Sequence, residues 1–130
     1  MKLRAFIIDD EPRAVEFIRE FLKNTFPAFE IVGTAPSIDD GFQKIRHAQP
    51  EILFLDLNLP RGNGLELLQR FPLRRFDVIV ITAFVEVHKG YDQYGISAII
   101  TKPIDPDELR FEISKIIEAR RQNPDKVFTL

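Results

Sequence analysis

Apolar residues gather into runs of strand length at Leu3–Ile8, Ile31–Thr34, Ile52–Leu55, Val78–Ile81 and Ala98–Ile100, with no polar alternation inside them. Runs of this kind belong to strands buried on both faces. Between the runs the apolar positions take helical spacing. Ala14, Phe17, Ile18, Phe21 and Leu22 share one face of a first helix, and Arg13, Glu16, Arg19, Glu20 and Lys23 take the other. Ile38, Gly41, Phe42 and Ile45 define a second, with Ser37 as its N-cap and Asp40 three residues on, in the pattern of a capping box. Leu65, Leu67, Leu68 and Phe71 mark a third, and Val85 to Tyr94 a fourth. In the last helix Asp105 is the N-cap, Pro106 takes the first helical position and Glu108 the third, and Leu109, Ile113, Ile116 and Ile117 form the stripe. Strict alternation of buried strands with amphipathic helices predicts an α/β fold, a (βα)5 doubly wound parallel sheet covered on both faces.

Composition sets the scale. A chain of 130 residues, 45% apolar and 29% charged, buries one core and falls short of two ordinary domains. Residues 1–121 are read as that domain. Residues 122–130 are read as a linker or the start of a truncated C-terminal effector domain, because the polar QNPD after Arg121 gives way to the strand-like KVFTL. A frayed terminus fits the same residues.

Lys and Arg number 18 against 20 Asp and Glu, so no basic field exists to hold a phosphate backbone, and any DNA contact falls to a separate domain. The absence of cysteine removes disulfides and thiolate chemistry, and His47 and His88 stand too far apart for a local metal motif. Both histidines are assigned to exposed helix faces. The N-terminal apolar run meets Asp9, Asp10 and Glu11 too soon for a signal peptide or a membrane span, which predicts a cytoplasmic protein.

In an open parallel sheet, ligands sit beyond the carboxyl ends of the strands. Asp9, Asp10 and Glu11 follow the first strand, Asp56 ends the third, Thr82 the fourth, and Lys102 with Pro103 the fifth. Carboxylates converging on one rim repel, so a cation is implied. All candidate ligands are oxygens, and a small site with few carboxylates suits Mg²⁺ better than Ca²⁺, with Mn²⁺ as a substitute. Asp56 would then attack phosphorus, the phosphoryl oxygens being neutralised by the cation, the Lys102 ammonium and the Thr82 hydroxyl. Each residue alone has a plainer reading. The acids fit a helix N-cap ahead of Pro12, Asp56 a turn before Pro60, Gly62 and Gly64, and Lys102 a solvated side chain. Four of them at strand ends in order carry the chemistry.

FIIDDEP, ILFLDLNLPRGNG, VIVITAF and IITKPID, in this order over residues 3–120, resemble the receiver domain of bacterial two-component response regulators, and most closely those of LytTR-type transcription regulators. The resemblance implies a flavodoxin-like sheet of strand order 2-1-3-4-5, phosphorylated on an aspartate by a sensor histidine kinase. By position, Asp56 matches the phosphoacceptor and Asp10 a direct Mg²⁺ ligand. Asp9 matches the acid that reaches the metal through water, and Asn58 offers its backbone carbonyl. Thr82 matches the switch hydroxyl, with Ala83 leaving space behind it, and Lys102 the charge-pairing lysine, usually joined to Pro103 by a cis bond. Glu11 is expected at the rim.

Two departures stand out. Receivers usually carry Tyr or Phe where this chain has Ile99, so the aromatic readout is absent or passes to Tyr91 or Tyr94. In the loop after Asp56, Gly62 and Gly64 are expected to give mobility, and Arg61 to attract an anionic donor. The output surface, also the candidate homodimer face, is sought on the fourth helix, fifth strand and fifth helix, with Tyr91, Tyr94, Arg110, Glu112, Ile113, Lys115 and Glu118. Two other readings use the same residues. A Mg²⁺-dependent phosphohydrolase of the haloacid dehalogenase type places a second Asp two residues after the nucleophile, where Asn58 stands here. A docking module locked in one state would ignore phosphodonors.

Overall fold

The computed structural model describes residues 2–83 and 94–129. In chain order the elements are β1 (Leu3–Ile8), α1 (Pro12–Thr25), β2 (Phe29–Ala35), α2 (Ile38–Ala48), β3 (Ile52–Asp56), β4 (Asn58–Leu59), β5 (Gly62–Asn63), α3 (Leu65–Gln69), β6 (Leu73–Arg74), β7 (Asp77–Thr82), β8 (Ala98–Thr101), α4 (Pro106–Gln122) and β9 (Phe128–Thr129). Five of the strands form a parallel sheet in the order β2-β1-β3-β7-β8. With the two-residue strands set aside, this is the expected 2-1-3-4-5. The predicted fourth helix lies outside the described residues except for Tyr94, as do Tyr91 and His88, while His47 lies exposed on α2.

Successive residues of each strand point to opposite faces, and both faces are apolar, which is why the runs showed no alternation. Phe6, Ile8, Leu53, Leu55, Val78 and Val80 meet Ile38 and Ile45 of α2 and Leu67 and Leu68 of α3. On the other face Ala5, Ile7, Ile52, Phe54, Ile79 and Ile81 meet Ile18 and Leu22 of α1 and Leu109, Ile113 and Ile116 of α4. Each such side chain fully buried contributes about 1.5–3 kcal/mol, so the sheet's two faces supply most of the driving force.

The helix boundaries follow their caps. Ser37 Oγ accepts from the Asp40 amide at 3.2 Å, and the Asp105 carboxylate accepts from the Asp107 amide at 2.9 Å. At α1 the N-cap position falls on Glu11, whose side chain makes no capping bond, and Pro12 takes the first turn. The acidic run is therefore not spent on capping that helix.

Three features depart from expectation. The loop after Asp56 is not loose: β4 and β5 pair as a short hairpin, Asn58 opposite Asn63 and Leu59 opposite Gly62. Ile113, placed on the output surface from the sequence, is fully buried against the sheet, and the exposed apolar residue of α4 is Phe111. The KVFTL segment returns to the domain, with Phe128 opposite Arg74 and Thr129 opposite Leu73 in an antiparallel pair.

Candidate functional site

Parallel register brings the strand ends to one edge. Ile8 stands opposite Leu55, Asp56 opposite Ile81, and Thr82 opposite Thr101. The residues just past these positions are Asp9, Asp10 and Lys102, and the Lys102 amide donates to the Thr82 carbonyl at 2.8 Å. The acids and lysine predicted from separate stretches of sequence thus occupy one rim, with Thr82 fully buried beneath it.

Asp9, Asp10 and Asp56 each offer a carboxylate oxygen within 4.8 Å of the other two. Lys102 Nζ lies 3.5 Å from Asp9 Oδ2 and 3.6 Å from Asp56 Oδ2. The opposite oxygens are held by the chain itself, Asp9 Oδ1 accepting from the Glu11 amide at 2.9 Å and Asp56 Oδ1 from the Asn58 amide at 3.0 Å. Asp9 and Asp56 are buried, at 5% and 4% exposure, so neither charge is well solvated.

One ammonium faces three carboxylates. Burial, more than any other cause, raises the Asp56 pKa, and repulsion from Asp9 and Asp10 adds to it. The Asn58 amide and Lys102 pull the other way. This uncompensated negative charge on a set of oxygen donors fits a hard divalent cation. The three acids are the groups that would hold it. Beside them a cleft of about 420 Å³ opens between Asp10 and the β4–β5 hairpin, lined by Asn58, Pro60 and Asn63.

Gly64 belongs to the site in a way its sequence context did not reveal. Its amide donates to the Leu57 carbonyl at 3.0 Å, closing the hairpin onto β3. A Cβ at Gly64 would lie 2.6 Å from the Asp56 carbonyl oxygen, so glycine is required for close approach and not for mobility. Glu11 is exposed next to Asp9 and Asp10, and Arg61 is exposed in the turn of the β4–β5 hairpin. The Lys102–Pro103 bond is cis. Ile99 is half-buried and packs, with Tyr94, on the core cluster beneath α2 and α3. The Tyr94 hydroxyl accepts from Gln69 Nε2 at 3.3 Å.

A doubly wound sheet carrying acids and a lysine on its carboxyl edge is the architecture of a signalling receiver. Residues 5–114 match the response regulator receiver domain family, and the chain belongs to it: this is a receiver domain of a two-component response regulator. It is 34% identical over 125 residues to an uncharacterized response regulatory protein of Vibrio vulnificus, covering 90% of this chain and 48% of that protein. It is 32% identical over 120 residues to the transcriptional regulatory protein BtsR of Escherichia coli, covering 91% and 49%. The chain therefore spans about half the length of these relatives. Among solved structures it is similar to the receiver domain of AraT, a response regulator from Geobacillus stearothermophilus, with a TM-score of 0.84 and 26% identity over 95% of this chain and 99% of that one. The response regulatory domain of mrkE from Klebsiella pneumoniae shares the fold with a TM-score of 0.85, at 23% identity over 93% of this chain and all of that one. Among the described residues no helix is long and apolar enough to cross a membrane.

Proposed function

We propose that Asp56 is the phosphoacceptor of this receiver, that Asp9, Asp10 and Asp56 with the Asn58 backbone carbonyl hold Mg²⁺, and that the donor is the phosphohistidine of a sensor kinase. The observation that carries this reading is the convergence of three carboxylates and one lysine at a single rim.

Magnesium, when bound, neutralises the phosphoryl oxygens and lets an anionic nucleophile approach an anionic donor. The Asn58 amide fixes the Asp56 carboxylate toward the rim. Asp56 forms a bond to phosphorus as the P–N bond of the donor breaks, and the electron pair leaves with the imidazole, which takes up a proton. Lys102, already within 3.6 Å of Asp56, pairs with the transferred group. Thr82 supplies a hydroxyl from the end of β7. Asn58, standing two residues past Asp56, provides no second carboxylate for general acid–base work, which disfavours turnover of small phosphate esters. The domain is thus a switch whose only chemistry is accepting a phosphoryl group and losing it to water.

Output passes through the face of β8 and α4, where Phe111 stands exposed among Arg110, Lys115 and Glu118, and the same face serves a homodimer. Transcription is the output favoured by the similarity to BtsR, with DNA bound by a separate domain.

The test is intact mass spectrometry after incubation with acetyl phosphate and Mg²⁺. Wild type gains one phosphoryl group, Asp56→Ala gains none, and chelation of the metal abolishes the gain. Modification that survives Asp56→Ala, or that proceeds equally in chelator, overturns the assignment.

A further inference from the structure

The phosphoacceptor chemistry uses the carboxyl edge of the sheet, yet a larger cavity opens at the amino edge. It measures about 650 Å³, within the range of small-molecule sites, and lies between the end of α2, the start of β3, the β6 segment and the end of α4. Part of its lining is apolar. Phe71 and Phe76 meet edge to face with ring centroids 5.4 Å apart. Beside them stand Leu73 and Val127, which at 68% and 40% are among the large apolar side chains left exposed.

The polar part of the lining is mostly cationic. Arg46, Arg74, Arg75 and Arg120 border the cavity, against the carboxylate of Glu51. That carboxylate is already engaged, accepting from the Arg4 amide at 3.0 Å and lying 3.8 Å from Arg120. Arg120 is in turn spent on Asp77, at 2.7 Å. The other three guanidinium groups are not neutralised in this way. Arg46 is exposed and lies 5.3 Å from the Phe42 ring centroid, with no ion-pair partner among the described residues. Arg75 is exposed, and its partner Asp125 stands 3.9 Å away in open solvent. Arg74 is buried, at 4% exposure. Its Nη2 donates to the carbonyls of Tyr94 at 2.7 Å and Gly95 at 3.0 Å, while Nε and Nη1 have no hydrogen-bond partner among the described residues. Burial lowers its pKa to about 10 despite the pull of Asp77.

We propose that this cavity binds a small organic anion, its carboxylate or phosphate head paired with the arginines and its apolar body laid on Phe71, Leu73, Phe76 and Val127. Guanidinium groups take both kinds of oxyanion through the same planar fork of donors. A buried cation without a carboxylate in contact acts on the cavity through a medium that screens it poorly, so an entering anion compensates a charge that the fold leaves unpaired. An apolar body removes Leu73 and Val127 from water, which an inorganic ion cannot do. The proposal is independent of the phosphoacceptor reading, because no residue of the acidic rim lines this cavity.

NMR titration of the whole chain tests the site, with octanoate, octyl phosphate, octanol and inorganic phosphate as probes, all below micellar concentration. Octanoate or octyl phosphate should shift the amides of residues 71–76 and the Arg74 Nε resonance saturably, and the tighter of the two identifies the head as carboxylate or phosphate. Octanol lacks the charge and inorganic phosphate lacks the body, so each should bind about tenfold more weakly, the difference made by one charge-assisted contact. Arg46→Glu and Arg75→Glu alter exposed side chains, and each should weaken the organic anion about tenfold while leaving the amide shifts of the Asp56 rim in place. Octanol or inorganic phosphate binding as tightly as the organic anions overturns the proposal. So does binding that leaves Arg74 Nε unmoved, binding undiminished in both variants, or the lack of a saturable shift with either organic anion.

Discussion

Asp56 is held in the fold by an amide and a lysine, yet its burial and two neighbouring acids disfavour its charge. Because folding raises its pKa, the native chain grips that proton more tightly than the unfolded chain does. Its contribution to stability is greatest below the unfolded carboxylate value of about 3.9 and is lost as pH rises through the raised folded value. At neutral pH the metal-free protein therefore carries a penalty that Asp56→Asn removes. The variant should melt at a higher temperature than wild type at pH 7 in chelator, by about 0.5–2 kcal/mol of stability, with the difference vanishing near pH 3. Added Mg²⁺ should narrow the gap by stabilising wild type more than the variant. Calorimetry across pH and metal concentration checks both. Equal melting of the two proteins at pH 7 in chelator would show that the acidic cluster is already compensated. At this scale the sequence was informative because charge stands out against apolar strands. Asp56 and Lys102 each follow a run in which no other charge occurs, Asp9 and Asp10 follow four apolar residues, and parallel topology does the rest.

Elements were legible in proportion to their length. The five sheet strands and the helices with a stripe and a cap, such as α2 behind Ser37 and α4 behind Asp105, follow from periodicity and from the need to satisfy the first amides of a helix. The pairs β4–β5 and β6–β9 did not, because two residues have no period to read and their pairing depends on partners distant along the chain. The join of β3 to α3 shows the cost of that blindness. Gly62 and Gly64 look like flexibility in sequence, whereas Gly64 lies against the backbone of Asp56 with no room for a methyl group. In Gly64→Ala the new Cβ has a carbonyl oxygen ahead of it, and a main-chain oxygen cannot swing aside as a side chain can. The expected loss is about 1–3 kcal/mol, typical of overpacking. The displaced Asp56 should also accept phosphoryl groups several-fold more slowly per folded molecule. Denaturant titration and acetyl phosphate kinetics read the two effects separately. Unchanged values in both would mean that the hairpin shifts away at no cost.

Across the whole molecule, the two ends of the sheet have separate duties. Reactive charges collect at the carboxyl edge, while the amino edge is closed by a network that takes no part in the proposed chemistry. There Arg120 of α4 donates to Asp77 Oδ2 at 2.7 Å and lies 3.8 Å from Glu51, and Ser97 Oγ donates to Asp77 Oδ1 at 2.6 Å. Glu51 in turn accepts from the Arg4 amide at 3.0 Å. This network fastens the end of α4 across the starts of β1, β3, β7 and β8. The sequence shows Arg120 only as one polar residue beside the helix stripe, with nothing to single out its partner 43 positions away. Asp77 is buried, so removing Arg120 takes away its ion-pair partner and leaves the charge to the Ser97 hydroxyl and the more distant Arg74. Arg120→Ala should cost about 3 kcal/mol, the lower end for breaking a buried pair by deleting one partner. Asp77→Asn in the same background should recover part of that loss, because an amide needs no countercharge. The carboxyl edge lies a full strand length away and shares none of these contacts. Phosphorylation of Asp56 in the variant should therefore proceed at the wild-type rate once corrected for the folded fraction. A slowed rate per folded molecule would mean that the anchor at the base of α4 also positions Lys102, and that the two ends are not independent.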